Sequence, residues 1–556
     1  MRVGIVLGTA PITPLEFWVG VEKDHLVQLD DVLYAETQLA NGQKVKFYGV
    51  VQEVQKFLEG AQWVYDAHLA IQGVIPVNVA YIAKIALTRV EPEFFVPPSP
   101  GDPVYFAEGE ELERALYYDQ MKVKIPAGLT RSGQVVYLNY HFLDGTEGAH
   151  VSISGMSGVA TKTSYAIFLL YSILNKVQDQ RIRGLIFNVK GKDLLWLDKK
   201  NKNLSAEDEK ALKKLGLKAE PFREVKFYVP PYEGNPTIPD AERQDEKVVP
   251  FFWSIREFAE EGLIRFMFVE EDESKSQVPY LVERVANKLY YLAKNSPEGR
   301  LMDDYAKGIE SLEDLEERFS EAIKEREAGR QKEQKNQSSL FNEWFGDNHL
   351  QTARAFLRRF SRASRHIKRF IQPNMSSPIN WEENRLSVID ISGLHHIAQM
   401  FVVGAVLKRL FEEKEKRSNP YPKVFVLLDE LNKYAPKEGW SPIKDVILDI
   451  AERGRSLGVI LIGAQQTASE IEKRILANSA IKVVGRMDSS ELLSKEYEFL
   501  VGNFRQRALM LKKGTMILYQ PDIPSPLMLK FPKPPWATRR QEVEEEIHVP
   551  EDFNNF

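Results

Sequence analysis

The 556-residue chain contains no cysteine, which excludes a disulfide framework and any thiolate metal site. That fits a reducing compartment and is compatible with a warm-growing source. Its 9 histidines show no HxxxH-type spacing, so a histidine-built metal site is not expected. There is no excess of positive charge: 74 Lys and Arg stand against 79 Asp and Glu, a net charge of −5. Whole-chain electrostatics therefore do not advertise nucleic-acid binding, and any such contact must be a local patch or a pore. No stretch approaches the roughly 20 apolar residues of a membrane span. The opening MRVGIVLGTA has a short apolar run but reads on into strand-rich sequence, which argues against a signal peptide. A soluble, cytoplasmic protein is expected.

What is present is ordinary globular sequence, 43% hydrophobic and 28% charged, in a chain too long for one core; roughly two to four domains are expected. Residues 1–110 read as all-β. Val3–Leu7, Phe17–Val21, Val45–Val51 and Tyr81–Val90 are β-branched or aromatic runs, and Ala40-Asn41-Gly42-Gln43 reads as a hairpin turn, since Asn-Gly suits a positive φ. A small barrel is the economical closure, and Pro97 to Gly101 reads as a linker. Residues 111–250 hold a strand–helix–strand unit, with Arg183–Val189 as its second strand and Val225–Val229 further on. Residues 251–375 turn helical. There the charge run Glu310–Lys335 reads as a solvated helix face. His349–Phe370 carries Arg354, Arg358, Arg359, Arg362, Arg365, Lys368 and Arg369 interleaved with Phe356, Phe360 and Phe370. It reads either as an amphipathic helix with a wet basic face or as a surface for a phosphate backbone. Residues 376–530 alternate strand and helix again, and 531–556 form a Pro-rich, then acidic, extended tail.

The chain is organised around VSISGMSGVATKTS, Val151 to Ser164. A short strand enters a loop with Gly155 and Gly158, the loop ends in Lys162-Thr163, and an apolar helix follows. Backbone N–H groups and a helix N-terminus facing an anion, a lysine for the terminal phosphates and a hydroxyl for Mg²⁺ make a phosphate cradle. The usual spacing places glycine six residues before the lysine and again directly before it; here those positions are Met156 and Thr161. A β-branched residue at Thr161 disfavours the backbone conformations glycine allows. Hydrolysis is more exposed to that departure than binding is.

The second half supplies the complement. Val424–Leu428 is an uninterrupted apolar strand ending in Asp429-Glu430. In such a site the aspartate holds the Mg²⁺ shell and the glutamate polarises the attacking water. Val459–Gly463 leads to Gln465, placed to hydrogen-bond a γ-phosphate or the water, or simply to cap its strand. Ile481–Gly485 ends at Arg486. Arg453, Arg455 and Arg486 are candidates for stabilising charge on the transferring phosphoryl group, Arg486 being the best placed of them; each also reads as a surface ion-pair partner.

With these motifs assembled, the chain resembles the HerA family of hexameric DNA-translocating ATPases, relatives of FtsK. The likeness runs through the N-terminal barrel, ISGMSGVATKTS, IFNVKGKD, LSVIDISGL, VFVLLDELNKYAP and ERGRSLGVILIGAQQTASEI with its trailing VVGRMD. It implies a RecA-like P-loop NTPase core, a mostly parallel sheet, carrying a small N-terminal barrel and an inserted helical subdomain. It implies that ATP is cradled by Gly155, Ser157, Gly158, Val159, Ala160, Thr161, Lys162, Thr163 and Ser164, and that Mg²⁺ is held through Thr163 and Asp429. Glu430 is the implied catalytic base and Gln465 the implied γ-phosphate sensor. Arg486 is the implied arginine finger acting across a subunit boundary, with Arg453 or Arg455 as alternatives. The implied partners are double-stranded DNA in a central pore, further copies in a homo-hexamer, and a NurA-like nuclease docked on the barrel; the implied tail braces a neighbouring subunit.

The leading expectation is thus a DNA-translocating ATPase that feeds a nuclease in end processing, repair or defence. A ring-forming ATP-binding scaffold that assembles and regulates an effector nuclease with little motor activity is the alternative. A monomeric metabolic P-loop enzyme is a third reading.

Overall fold

A computed structural model describes residues 2–59, 63–75, 78–156, 162–177, 179, 181–191, 193–268, 277–330, 340–417 and 419–543. Among them, six strands close an N-terminal barrel in the order Arg2–Val6, Glu16–Val21, Asn78–Glu91, Lys44–Glu59, Val32–Gln38 and Pro103–Phe106, every neighbour antiparallel. Val3, Phe17, Val19, Leu33, Phe47 and Ile85 fill it. Two of its strands are additions to the sequence reading. Val32–Gln38 alternates buried and half-buried positions around Glu36 and Thr37, a pattern of weak hydrophobicity. Pro97 to Gly101 is not a domain linker; it turns the chain into Pro103–Phe106, the strand that closes the barrel. The strands Lys44–Glu59 and Asn78–Glu91 run on beyond the barrel as an arm, and the helix Val64–Ile71 between them buries none of its residues.

Twelve described strands form one sheet. Eight are parallel: Val248–Pro250, Val225–Val229, Leu386–Asp390, Ile182–Asn188, Lys423–Asp429, Val459–Gln465, Ala149–Ser154 and Ser479–Val484, in that spatial order. Four antiparallel strands extend it: Thr515–Tyr519, Leu527–Lys530, Lys124–Leu129 and Val135–Asn139. The central strands are buried at every residue, as parallel strands covered on both faces must be. The helix Lys162–Lys176 covers one face and the helices His396–Lys416 and Pro442–Leu457 the other. This is the RecA-like α/β core expected from the motifs.

The helix Pro442–Leu457 shows how local chemistry sets this geometry. Ser441 caps its N-terminus, its side chain accepting from Lys444 N–H, and Pro442 takes the first-turn position where a missing N–H does no harm. It ends at Gly458, whose φ of 73° turns the chain directly into the next strand; a Cβ there would lie 2.0 Å from the Pro420 carbonyl oxygen.

Between the strands Val248–Pro250 and Leu386–Asp390 the chain makes the helical insertion: Ile255–Glu260, Val278–Asn295, Leu312–Arg330, Leu340–Phe345 and Leu350–Ile367. As far as it is described, the charge run lies on the outer face of Leu312–Arg330, apart from the buried Arg318, while Leu312, Leu315, Phe319, Ala322 and Ile323 are buried at helical spacing; residues 331–335 of the run lie outside the described part. No helix among the described residues is long and apolar enough to cross a membrane.

The tail is not loose as far as it is described. Phe531 packs on Tyr165 and Phe168, and Trp536 on Tyr171 and Phe222 with ring centroids 4.7 and 4.8 Å away. Phe531 and Trp536 thus dock on the helix Lys162–Lys176 of their own chain, residues 537–543 run along the segment 193–202, and residues 544–556 lie outside the described part.

Candidate functional site

Parallel α/β sheets gather ligands where strands end and helices begin. The sheet order puts the carboxyl ends of five motif-bearing strands side by side: Asn188, Asp429, Gln465, Ser154 and Val484, each leading into its turn. The strand Ala149–Ser154 is held beneath by His150, whose Nδ1 accepts from Leu461 N–H at 2.9 Å. Burial pushes that imidazole down to about 4, so it remains neutral.

Gly155 N–H donates to the Gln465 carbonyl at 3.1 Å and Met156 N–H to the Arg486 carbonyl at 2.8 Å. The loop therefore leaves the sheet between the Gln465 and Arg486 turns. Ser157, Gly158, Val159, Ala160 and Thr161 lie outside the described residues. The chain is described again at Lys162, the first residue of the helix Lys162–Lys176, with Thr163 and Ser164 half-buried in its first turn.

Lys162 and Thr163 meet Asp429 across the sheet. Thr163 Oγ1 donates to Asp429 Oδ2 at 2.7 Å. Lys162 Nζ lies 3.9 Å from Asp429 Oδ1, too far for a hydrogen bond, and has no hydrogen-bond partner among the described residues. Its side chain is only 5% exposed. Burial pushes the ammonium down to about 8 against the opposing pull of Asp429.

Glu430 sits in the left-handed region, φ 57° and ψ 42°, where the acid strand breaks into the short helix Leu431–Tyr434. For a residue without glycine's freedom this conformation is strained, and such strain gathers at functional sites. Two ammonium groups clasp its carboxylate: Lys433, three residues on, and Lys190 at 2.9 Å. Burial pushes this carboxyl up, but the two lysines outweigh it and hold it below the usual carboxylate range. Lys190 also lies 3.6 Å from Asp429. Burial pushes its ammonium down, and the two carboxylates more than reverse that, leaving it raised.

Gln465 is fully buried. Its Nε2 donates to Ser152 Oγ at 2.7 Å and Ser154 Oγ at 3.0 Å. The side chain thus lies back along the loop strand, while its Oε1 has no partner among the described residues. Arg486 is exposed beside its own chain's loop. The other two arginines are committed elsewhere. Arg453 pairs with Glu415 and lies over the Phe411 ring, and Arg455 donates to the carbonyls of Gly145 at 2.9 Å and Thr146 at 2.7 Å.

The structure therefore brings together Gly155, Lys162, Thr163, Asp429 and Glu430, sets Gln465 and Arg486 at the edges of the loop, and places Arg453 on the back of its helix. Sequence reasoning gave no role to Lys190 or Lys433. The available signal for Lys190 was its place in a Lys-Gly-Lys-Asp turn at the carboxyl end of a parallel strand, and for Lys433 its spacing of three from Glu430 at a helix start.

The oxygens of Thr163 and Asp429 are of the kind a hard divalent cation takes. No group of three or more His, Asp or Glu side chains clusters as a metal site among the described residues.

On the helix Leu350–Ile367, Phe356 and Phe360 are buried in the insertion core, as is Phe370 just beyond it; the aromatic interleaving is the helix's packing face. Arg354, Arg358, Arg362, Arg365 and Lys368 are exposed on the other side. Within this basic run Arg354 pairs with Glu327, Lys368 with Glu313 and Arg369 with Asp240.

No protein-family model matches the chain, and no curated protein matches it. Among solved structures, VirB4 of Thermoanaerobacter pseudethanolicus aligns with a TM-score of 0.43 at 14% identity over 74% of this chain and 96% of that one. The bacterial conjugative coupling protein TrwBdeltaN70 gives 0.45 at 13% identity over 75% and 92%. The genome packaging NTPase B204 from Sulfolobus turreted icosahedral virus 2 gives 0.21 at 14% identity over 27% and 69%. These likenesses are distant, and the HerA resemblance of the motifs has no matching family model behind it.

Proposed function

We propose that the chain is an ATP hydrolase that works as a homo-hexameric ring on double-stranded DNA. The observation that carries the reading is the meeting of Lys162, Thr163 and Asp429. A buried ammonium without a hydrogen bond is costly, and a polyphosphate is the ligand whose charge offsets that cost at a helix N-terminus. Lys162 and the N–H groups of the loop bind the phosphates. Thr163 and Asp429 would hold Mg²⁺, which would neutralise charge on the phosphates. Glu430 takes the proton of the attacking water, Gln465 reports the γ-phosphate to the loop strand, and Arg486 of one subunit stabilises charge at the next, with Arg453 as the other candidate.

Two surfaces support the wider assembly. The basic face of Leu350–Ile367 suits a phosphate backbone. The arm of the barrel exposes Trp63, Val64, Tyr65 and Ile71, apolar residues suited to docking a partner such as a NurA-like nuclease.

The test is ATP turnover with and without duplex DNA. Turnover that rises with DNA and disappears in Lys162→Ala is expected. Turnover indifferent to DNA, together with DNA processing that survives Lys162→Ala, contradicts the motor. The second reading, a ring scaffold that regulates an effector nuclease, is favoured by the clasp on Glu430, which ties up the base; it expects nucleotide-dependent assembly with turnover that DNA does not change.

A further inference from the structure

Lys190 has no part in the roles given above, yet its setting is built. It stands in the turn after the strand Ile182–Asn188, and the base of that turn is fixed. Asn188 Nδ2 donates to the carbonyls of Gly191 (3.2 Å) and Asp193 (2.6 Å) and to Asp390 Oδ1 (3.0 Å). Leu194 N–H donates to the Thr538 carbonyl at 2.9 Å, and Arg539 pairs with Asp193 at 2.9 Å. The far end of Lys190 is different: its side chain is 45% exposed. An ammonium on a flexible four-carbon stem, anchored at its root and wet at its tip, changes partners at little cost.

Its present partner is the group that most needs to be free. Glu430 is 11% exposed and carries both Lys190 and Lys433 on its carboxylate. With its charge neutralised and its lone pairs engaged, such a carboxylate is a poor acceptor for a proton from water. A polyphosphate seated at Lys162 brings several negative charges to the same mouth, because Lys162 and Lys190 both lie within 4 Å of Asp429. The phosphates then compete with Glu430 for Lys190.

Resting on the reading of this cleft as a nucleotide site, we infer that Lys190 is a positioning residue that exchanges partners. It holds Glu430 while the site lacks nucleotide and passes to the phosphates when ATP binds, so that binding itself unmasks the base. This exchange has a definite sign. Binding must break the Lys190–Glu430 pair, so removing the charge of Glu430 tightens nucleotide binding more when Lys190 is present than when it is absent, beyond the direct repulsion of the phosphates that is relieved in either case.

The test is a double-mutant cycle on nucleotide affinity, read by titrating a fluorescent ATP analogue with Mg²⁺ into full-length wild type, Glu430→Gln, Lys190→Met and the double variant. Glu430→Gln is expected to tighten binding about threefold to tenfold in the wild-type background and by clearly less in the Lys190→Met background, where only its direct repulsion of the phosphates is relieved. Lys190→Arg, which keeps the charge, is expected to preserve the coupling; a purely structural lysine has no reason to produce it. An equal effect of Glu430→Gln in both backgrounds, or weakened binding in the first, overturns the exchange. Absence of saturable binding by the wild type overturns the nucleotide site itself, and that result is distinct from wild-type binding without coupling.

Discussion

The two walls of the cleft hold the same kind of charge in opposite ways. On the loop wall, Lys162 is buried at the start of a helix and has no hydrogen-bond partner among the described residues. On the acid wall, Lys190 is half in solvent and paired with Glu430. Asp429 lies between them, 3.9 Å from one ammonium and 3.6 Å from the other. A buried ammonium held only by a distant carboxylate is tolerated where a ligand's opposite charge belongs, whereas an ammonium whose tip is wet changes partners at a smaller cost. The loop wall is therefore made for binding and the acid wall for changing state.

The sharpest way to separate the walls is to disable the acid wall alone. Glu430→Gln is expected to lower turnover about 100- to 10,000-fold while nucleotide still binds; loss of binding in step with turnover would merge the two walls into one. Next in size is the prop behind both. Trp536 packs between Tyr171 on the loop-wall helix and Phe222, and its segment carries the Thr538 and Arg539 contacts to the turn that bears Lys190. Trp536→Ala is expected to cost about 3–5 kcal/mol in a denaturant melt. A change below about 1 kcal/mol would mean that the tail is not docked on its own chain.

A pH titration probes the footing of the loop wall. His150 is held neutral by burial, at about 4 against an ordinary 6.5. The unfolded chain binds that proton first, so the stability His150 contributes is fully present above about pH 6.5 and drains away as pH falls toward 4, by about 3 kcal/mol in all. Unfolding midpoints followed down this window should fall more for wild type than for His150→Asn, a substitute that tolerates the φ of 64° at this position; parallel curves would clear His150 of the effect. Smallest is the tie between the loop strand and its neighbour. Gln465→Leu leaves Ser152 and Ser154 without the amide donor and is expected to lose about 1–3 kcal/mol of stability, with a drop in turnover if Gln465 reports on the γ-phosphate.

What could be read without coordinates follows from burial. The central strands are covered on both faces, so Val424–Leu428 and Val459–Gly463 stand out as unbroken apolar runs, and the acids and the glutamine that end them follow in order. The barrel strand Val32–Gln38 runs into Glu36, Thr37 and Gln38, and Pro103–Phe106 is four residues long and begins with a proline, so neither stands out as a strand by itself. Lys124–Leu129 contains Pro126 and Gly128, which argue against a strand, and it pairs through an irregular register. Lys190 escaped because an ion pair between a turn and a distant strand end has no fixed sequence spacing, and Lys433 because a spacing of three from an acid is common to many surface helix pairs. Trp536 escaped because a proline-rich run resembles a loose tail until the aromatic surface it covers is known. Of the two departures from the usual glycine spacing, Met156 is described and Thr161 lies with Ser157 to Ala160 outside the described part, so the consequence of Thr161 rests on turnover and affinity of Thr161→Gly.

The most direct test of the central claim is calorimetric titration of ATP with Mg²⁺ into the full-length protein and into Lys162→Ala. Saturable binding to the wild type that weakens about 100-fold or more on losing Lys162 is the predicted result. Undiminished binding by Lys162→Ala, or none by the wild type, would contradict a nucleotide site built on Lys162, Thr163 and Asp429.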